Sequence, residues 1–178
     1  TVMDVFAWVM CVGFVLIISG LDYLKFFVDD KFWTGLHLVP ILLLANVILG
    51  INTNLNVWYK VSDKTVYGIY ITFVGLVITV VGNVVLIPVL GILGAACTTL
   101  AAYFAMFIAS VLWGRKHYPV PYNWSKIGAF VGFACLVVFI LHYTNWASGP
   151  LKVLGGMVYL GIMLFWERNG LLKFATKK

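Results

Sequence analysis

Apolar positions in this chain come in long unbroken runs and do not alternate with polar ones. From Thr65 to Gly114 no charged side chain occurs, and the run is interrupted once, near its middle, by Ile87-Pro88-Val89-Leu90-Gly91-Ile92-Leu93-Gly94. A helix needs only ~20 apolar residues to cross a bilayer. The stretch is too long for one crossing and predicts two, joined by a tight turn at the proline and glycines. The same habit recurs along the chain. Six transmembrane helices are predicted at about 5–21, 34–59, 65–87, 95–114, 127–143 and 147–166, followed by a tail at 167–178. Helices are expected because a segment in lipid must satisfy every backbone amide internally, whereas a barrel would need short alternating segments. The predicted fold class is all-α, a polytopic membrane protein, with residues 1–178 read as a single transmembrane helical domain.

Composition agrees with this pattern. Of 178 residues, 63% are hydrophobic and 10% charged, and the mean hydropathy is +1.03. A soluble domain carries about a quarter charged residues, so lipid is the expected solvent and membrane lipid an expected partner. Twelve basic residues stand against six acidic ones. They are scattered along loops with no dense block, which points to membrane orientation and not to nucleic acid. With the C-terminus inside, one side holds Lys60, Lys64, Arg115, Lys116, Lys126, Arg168, Lys173, Lys177 and Lys178, and the other Lys25, Lys31 and Lys152. Nine against three predicts a cytoplasmic C-terminus in a multi-pass protein of the cytoplasmic membrane. Trp33, Trp58, Trp113, Trp124, Trp146 and Trp166 fall near the predicted span ends, where aromatic belts form. Lys152, one turn inside the sixth span, can snorkel to the headgroups.

Faces within the spans are also patterned. Gly68, Thr72, Gly75, Thr79 and Gly82 recur at four, three, four and three in the third span. Gly94, Thr98, Ala102, Ala105 and Ala109 do so in the fourth. Small residues let membrane helices approach closely, so Gly68, Gly75, Gly82 and Gly94 are helix-packing candidates in an antiparallel pair. Gly128 and Gly132 form a single GxxxG in the fifth span, expected to pack within the bundle. The second span is the polar one. Asn46, Thr53, Asn56 and Lys60 share a face, Asn52 and Asn54 flank it, and Pro40 is expected to bend the helix. Two readings of that stripe stay open: hydrogen bonding between packed helices, or the wall of a water-filled cavity that meets a polar cargo.

Chemistry-bearing motifs are few. Cys11, Cys97 and Cys135 lie in apolar runs without CxxC spacing, as small packed side chains would. His37, His117 and His142 show no metal-ligand spacing. There is no phosphate loop, GxSxG or HExxH, and almost no ionisable group at membrane depth. No catalytic residue, metal or cofactor is expected, and the chain is read as a non-enzyme.

The segment Asn83-Val-Val-Leu-Ile-Pro88-Val-Leu-Gly91-Ile-Leu-Gly94-Ala-Ala-Cys-Thr98-Thr resembles a signature of oligosaccharide flippases, the polysaccharide-biosynthesis members of the multidrug/oligosaccharidyl-lipid/polysaccharide exporter superfamily. Pro40-Ile-Leu-Leu-Leu-Ala, Asn56-Val-Trp58-Tyr59-Lys60, Asp63-Lys64-Thr65 and the loop His117-Tyr118-Pro119-Val120-Pro121-Tyr122 are similar to the same family. The resemblance implies the C-terminal lobe and last two helices of a 14-helix transporter, with the N-terminal lobe of the same polypeptide absent and the chain a fragment. It implies transport of a polyprenyl-pyrophosphate-linked oligosaccharide across the cytoplasmic membrane by alternating access, for surface polysaccharide biosynthesis. Asn46, Thr53, Asn56 and Lys60 are then the substrate-cavity candidates, and Lys60 alone is placed to meet a phosphate. A drug or cation exporter of the same superfamily and a non-transporting scaffold of a glycan-assembly complex remain as alternatives.

Overall fold

The longest apolar stretch reverses direction at one residue. Gly91 has φ +59° and ψ −135° and separates two helices of 25 and 26 residues. The computed structural model describes residues 2–24, 26, 29–117, 124–143 and 149–175. Its helices are α1 (Val2–Ser19), α2 (Leu21–Leu24), α3 (Val39–Leu55), α4 (Val57–Val61), α5 (Val66–Leu90), α6 (Ile92–His117), α7 (Trp124–Tyr143) and α8 (Gly149–Ala175), with a 3-10 helix over Asp30–Leu38. No strand occurs among the described residues, and the all-α expectation holds. Among the described residues, three helices are long and apolar enough to cross a membrane: Gly35–Val61, Val66–Leu90 and Ile92–His117. The other three predicted spans coincide with shorter apolar stretches at Met3–Ser19, Ser125–Leu141 and Pro150–Phe165. Residues 118–122 of the proline-containing loop, Trp146 and residues 176–178 of the tail lie outside the described residues.

The chain divides into two compact units, Thr1–Leu36 with Asn123–Lys178, and His37–Tyr122. In the first, α1 packs against both α7 and α8. Its packed stripe is Met3, Ala7, Cys11, Phe14, Val15 and Ile18, all buried and spaced at three and four as one helical face requires. Ile127, Phe130, Ala134 and Val138 answer from α7, and Tyr159 and Met163 from α8. Trp8 Nε1 donates to the Met163 carbonyl at 3.1 Å, and Lys152 Nζ pairs with Asp22 Oδ2 at 2.9 Å. Gly128 and Gly132 differ from expectation. A Cβ on either would meet nothing within 4 Å, and α7 packs through Ile127, Phe130, Ala134 and Val138 instead.

In the second unit α6 is the central helix, flanked by α3 and α5. A Cβ on Gly75 would lie 2.9 Å from Met106 Cγ, one on Gly82 would lie 2.5 Å from Thr98 Cγ2, and one on Gly94 would lie 2.5 Å from the Leu86 carbonyl oxygen. Contacts that step down α5 as they step up α6 define an antiparallel pair. Gly68 faces elsewhere: a Cβ there would meet the Tyr59 ring at 3.1 Å.

Pro88 sits differently from the sequence expectation. It is inside α5, in its last turn, and not in the turn between helices. Its missing N–H leaves only the Val84 carbonyl without a helical donor, a small loss so near the helix end. The reversal falls to Gly91 alone, where a positive φ suits a residue without Cβ. Pro40 takes the second position of α3, directly after the 3-10 helix, where a proline costs no α-helical hydrogen bond.

Candidate functional site

The polar residues of the unit His37–Tyr122 lie on α3 and α4, which form a nearly continuous helical rod. Asn56 joins them with φ −65° and ψ −3°, and its N–H still reaches the Asn52 carbonyl at 2.9 Å. One face of the rod is packed: Ala45, Val47, Ile51, Asn52, Leu55 and Trp58 are buried. The opposite face, with Leu42, Asn46, Thr53, Val57 and Lys60, is exposed. Three of the four cavity candidates therefore share an open face. Two of them partly satisfy themselves. Asn46 Nδ2 donates to the Leu42 carbonyl at 2.8 Å, and Thr53 Oγ1 to the Leu49 carbonyl at 2.9 Å. Back-bonding of this kind lets a hydroxyl sit cheaply in an apolar setting. The Asn46 amide keeps its carbonyl oxygen and one N–H free for another partner.

Asn56 is set apart from this group. It is half-buried, and its Oδ1 accepts from the buried Ser110 hydroxyl of α6 at 2.6 Å. This bond ties the α3–α4 junction to α6. Asn52, one turn earlier, is 1% exposed, and neither atom of its amide has a partner among the described residues. A buried amide without partners carries a desolvation cost of ~1–3 kcal/mol.

Beside the stripe lies an aromatic cluster that the sequence did not single out as a group. Trp58, Tyr67, Trp113 and His117 converge from α4, α5 and α6. Trp58 stacks on His117 with centroids 6.0 Å apart and planes 15° from parallel, and Tyr67 lies 4.6 Å from the same imidazole. His117 Nδ1 sits 3.0 Å from the Trp113 carbonyl, which can only accept. Nδ1 therefore carries the proton in the neutral ring, and Nε2 accepts from the Tyr67 hydroxyl at 2.8 Å. Trp58 also packs on Gly114, where a Cβ would meet the indole nitrogen at 3.2 Å. The signal available in the sequence was the pairing of an aromatic-rich helix start with a span end holding Trp113 and His117.

Because α5 and α6 are antiparallel, the turn bearing Lys60 and Lys64 and the helix end bearing Arg115 and Lys116 occupy one end of this unit. The other end, at Pro88 and Gly91, carries no charge. No group of three or more metal-ligating side chains occurs among the described residues.

No known family, curated protein or solved structure matches this chain.

Proposed function

We propose that this chain works as one lobe of a membrane transporter that moves a polyprenyl-pyrophosphate-linked oligosaccharide across the cytoplasmic membrane. The observation that carries the reading is the open face of α3 and α4, where Asn46, Thr53 and Lys60 lie exposed beside Leu42 and Val57. Exposed amides are costly against hydrocarbon, and a sugar chain needs hydrogen-bonding groups along its path. The antiparallel hairpin closed at Gly91 and Gly94 by the segment Asn83 to Thr98 supports the same reading, since that segment carries the flippase resemblance.

In this account all six apolar segments cross. α7, with 20 residues, is ~30 Å long, the thickness of the hydrocarbon core, and the 18 residues of α1 give ~27 Å, a mismatch that local thinning absorbs. Four cations at one end of the hairpin unit and none at the other support a cytoplasmic side for that end, and six crossings in this reading give the C-terminus the same side. Lys60 ends the polar face there, as a point charge able to meet a phosphate at loading. Asn56 serves by holding the rod to α6 through Ser110.

The test is complementation of a flippase-deficient strain at matched membrane abundance. Lys60→Ala and Asn46→Leu in the full-length protein should lower glycan export at least tenfold. Export at the level of the unsubstituted protein by both variants would remove the transport reading.

A further inference from the structure

Gly75 and Gly82 of α5 turn toward α6, and the outer face of the helix carries large apolar residues: Ile69, Phe73, Leu76, Val80 and Val84 are all exposed. A helix partner in a membrane is recognised by small residues that allow close approach, and this face offers none beyond its first turns. The same face carries an open trough of about 500 Å³ at one end, lined by Tyr59, Thr65, Gly68, Thr72, Phe73 and Leu76. Its depth comes from Gly68, since a Cβ there would push against the Tyr59 ring at 3.1 Å. Thr72 spends its hydroxyl proton on the Gly68 carbonyl at 2.9 Å, so it offers no free donor to the floor.

The mouth is of opposite character. Asp63, with φ +54°, turns the chain so that the Lys64 N–H donates to the Tyr59 carbonyl at 2.8 Å, which sets Lys64 beside the tyrosine. Lys64 and Thr65 are exposed. Within the unit His37–Tyr122 the charged groups at this end are Lys60, Lys64, Arg115 and Lys116 against the carboxylate of Asp63. The trough thus has an apolar bed, a hydroxyl-bearing rim and a cationic mouth, the three features of an anionic amphiphile in reverse.

We propose that this trough seats one anionic phospholipid, with an acyl chain along Gly68, Thr72 and Leu76 and the phosphate at Lys64. The proposal needs α5 to cross the bilayer but does not depend on the cargo. It is tested by native mass spectrometry of the full chain in detergent with added dioleoyl phosphatidylglycerol or dioleoyl phosphatidylcholine. One phosphatidylglycerol should be retained in preference to phosphatidylcholine. Lys64→Glu should lower its retention about fivefold or more, the scale expected for reversing one charge near a headgroup. Thr72→Trp, which fills the trough, should do the same, whereas Val84→Trp at the far end of α5 should not. Should Thr72→Trp lose its single gel-filtration peak, Thr72→Leu takes its place. Equal retention of the two lipids, or unchanged phosphatidylglycerol binding when position 72 is filled, would overturn the proposal and leave the trough to a protein helix.

Discussion

Asn52 and Asn56 stand one helical turn apart and meet opposite surroundings. Asn56 has the Ser110 hydroxyl, while Asn52 is sealed in without a partner among the described residues. The two amides should respond differently to removal. Ser110→Ala strands the Asn56 oxygen and should lower stability by ~0.6 kcal/mol, up to ~1.7 at most, the range of interhelical hydrogen bonds in membranes. Asn52→Leu removes an unpaired amide from a buried place and should leave the thermal midpoint in detergent unchanged or raised. A fall on Asn52→Leu as large as that of Ser110→Ala would mean that a bound water or ligand satisfies Asn52. Glycines divide in the same way. Gly94→Ala drives a methyl into the Leu86 backbone and should cost ~1–3 kcal/mol. Gly128→Ala meets open space and should be neutral or slightly stabilising, because alanine is the better helix former. Thermal unfolding of the two variants in one detergent decides between these outcomes.

At the scale of elements, charge-free runs marked the helices well because lipid imposes both a length and an absence of charge. The hairpin is an example: the predicted spans at 65–87 and 95–114 became α5 and α6, each a few residues longer. Their ends were harder to read, since a proline signals a break without saying whether it lies inside the last turn or beyond it. Pro88 lies inside and Gly91 makes the turn, while Pro40 takes the second position of α3. Periodicity could place Asn46, Thr53, Asn56 and Lys60 on one side of a rod, but not decide which neighbour covers that side. The ~60° between residues three apart is enough to put Asn56 against α6 while Thr53 stays open. The Tyr67–His117 bond joins residues far apart in the chain and needed the α5–α6 register before it could be seen. That register makes its own prediction. Gly75→Leu must displace Met106 and should reduce the yield of folded protein after detergent extraction, while Val77→Leu, on the exposed side, should not. Equal yields would count against the register.

For the whole molecule, the account places the hairpin end at Pro88 and Gly91 outside and the end bearing Arg115 and Lys116 inside. Single cysteines at Val89 and Lys116, in a background lacking Cys11, Cys97 and Cys135, check this in intact cells. An impermeant thiol reagent should label position 89 and spare position 116. In the proposed function the open face of α3 and α4 borders a water-filled path while the outer face of α5 borders lipid. Solvent accessibility of cysteines along the two faces tests it most directly. At matched expression in membrane vesicles, a small water-soluble thiol reagent should modify cysteines at Asn46 and Thr53 at least tenfold faster than cysteines at Phe73 and Val80. Equal and slow modification at all four positions would contradict the account, and would leave the polar stripe of α3 as a face that packs or lies in lipid with no aqueous path beside it.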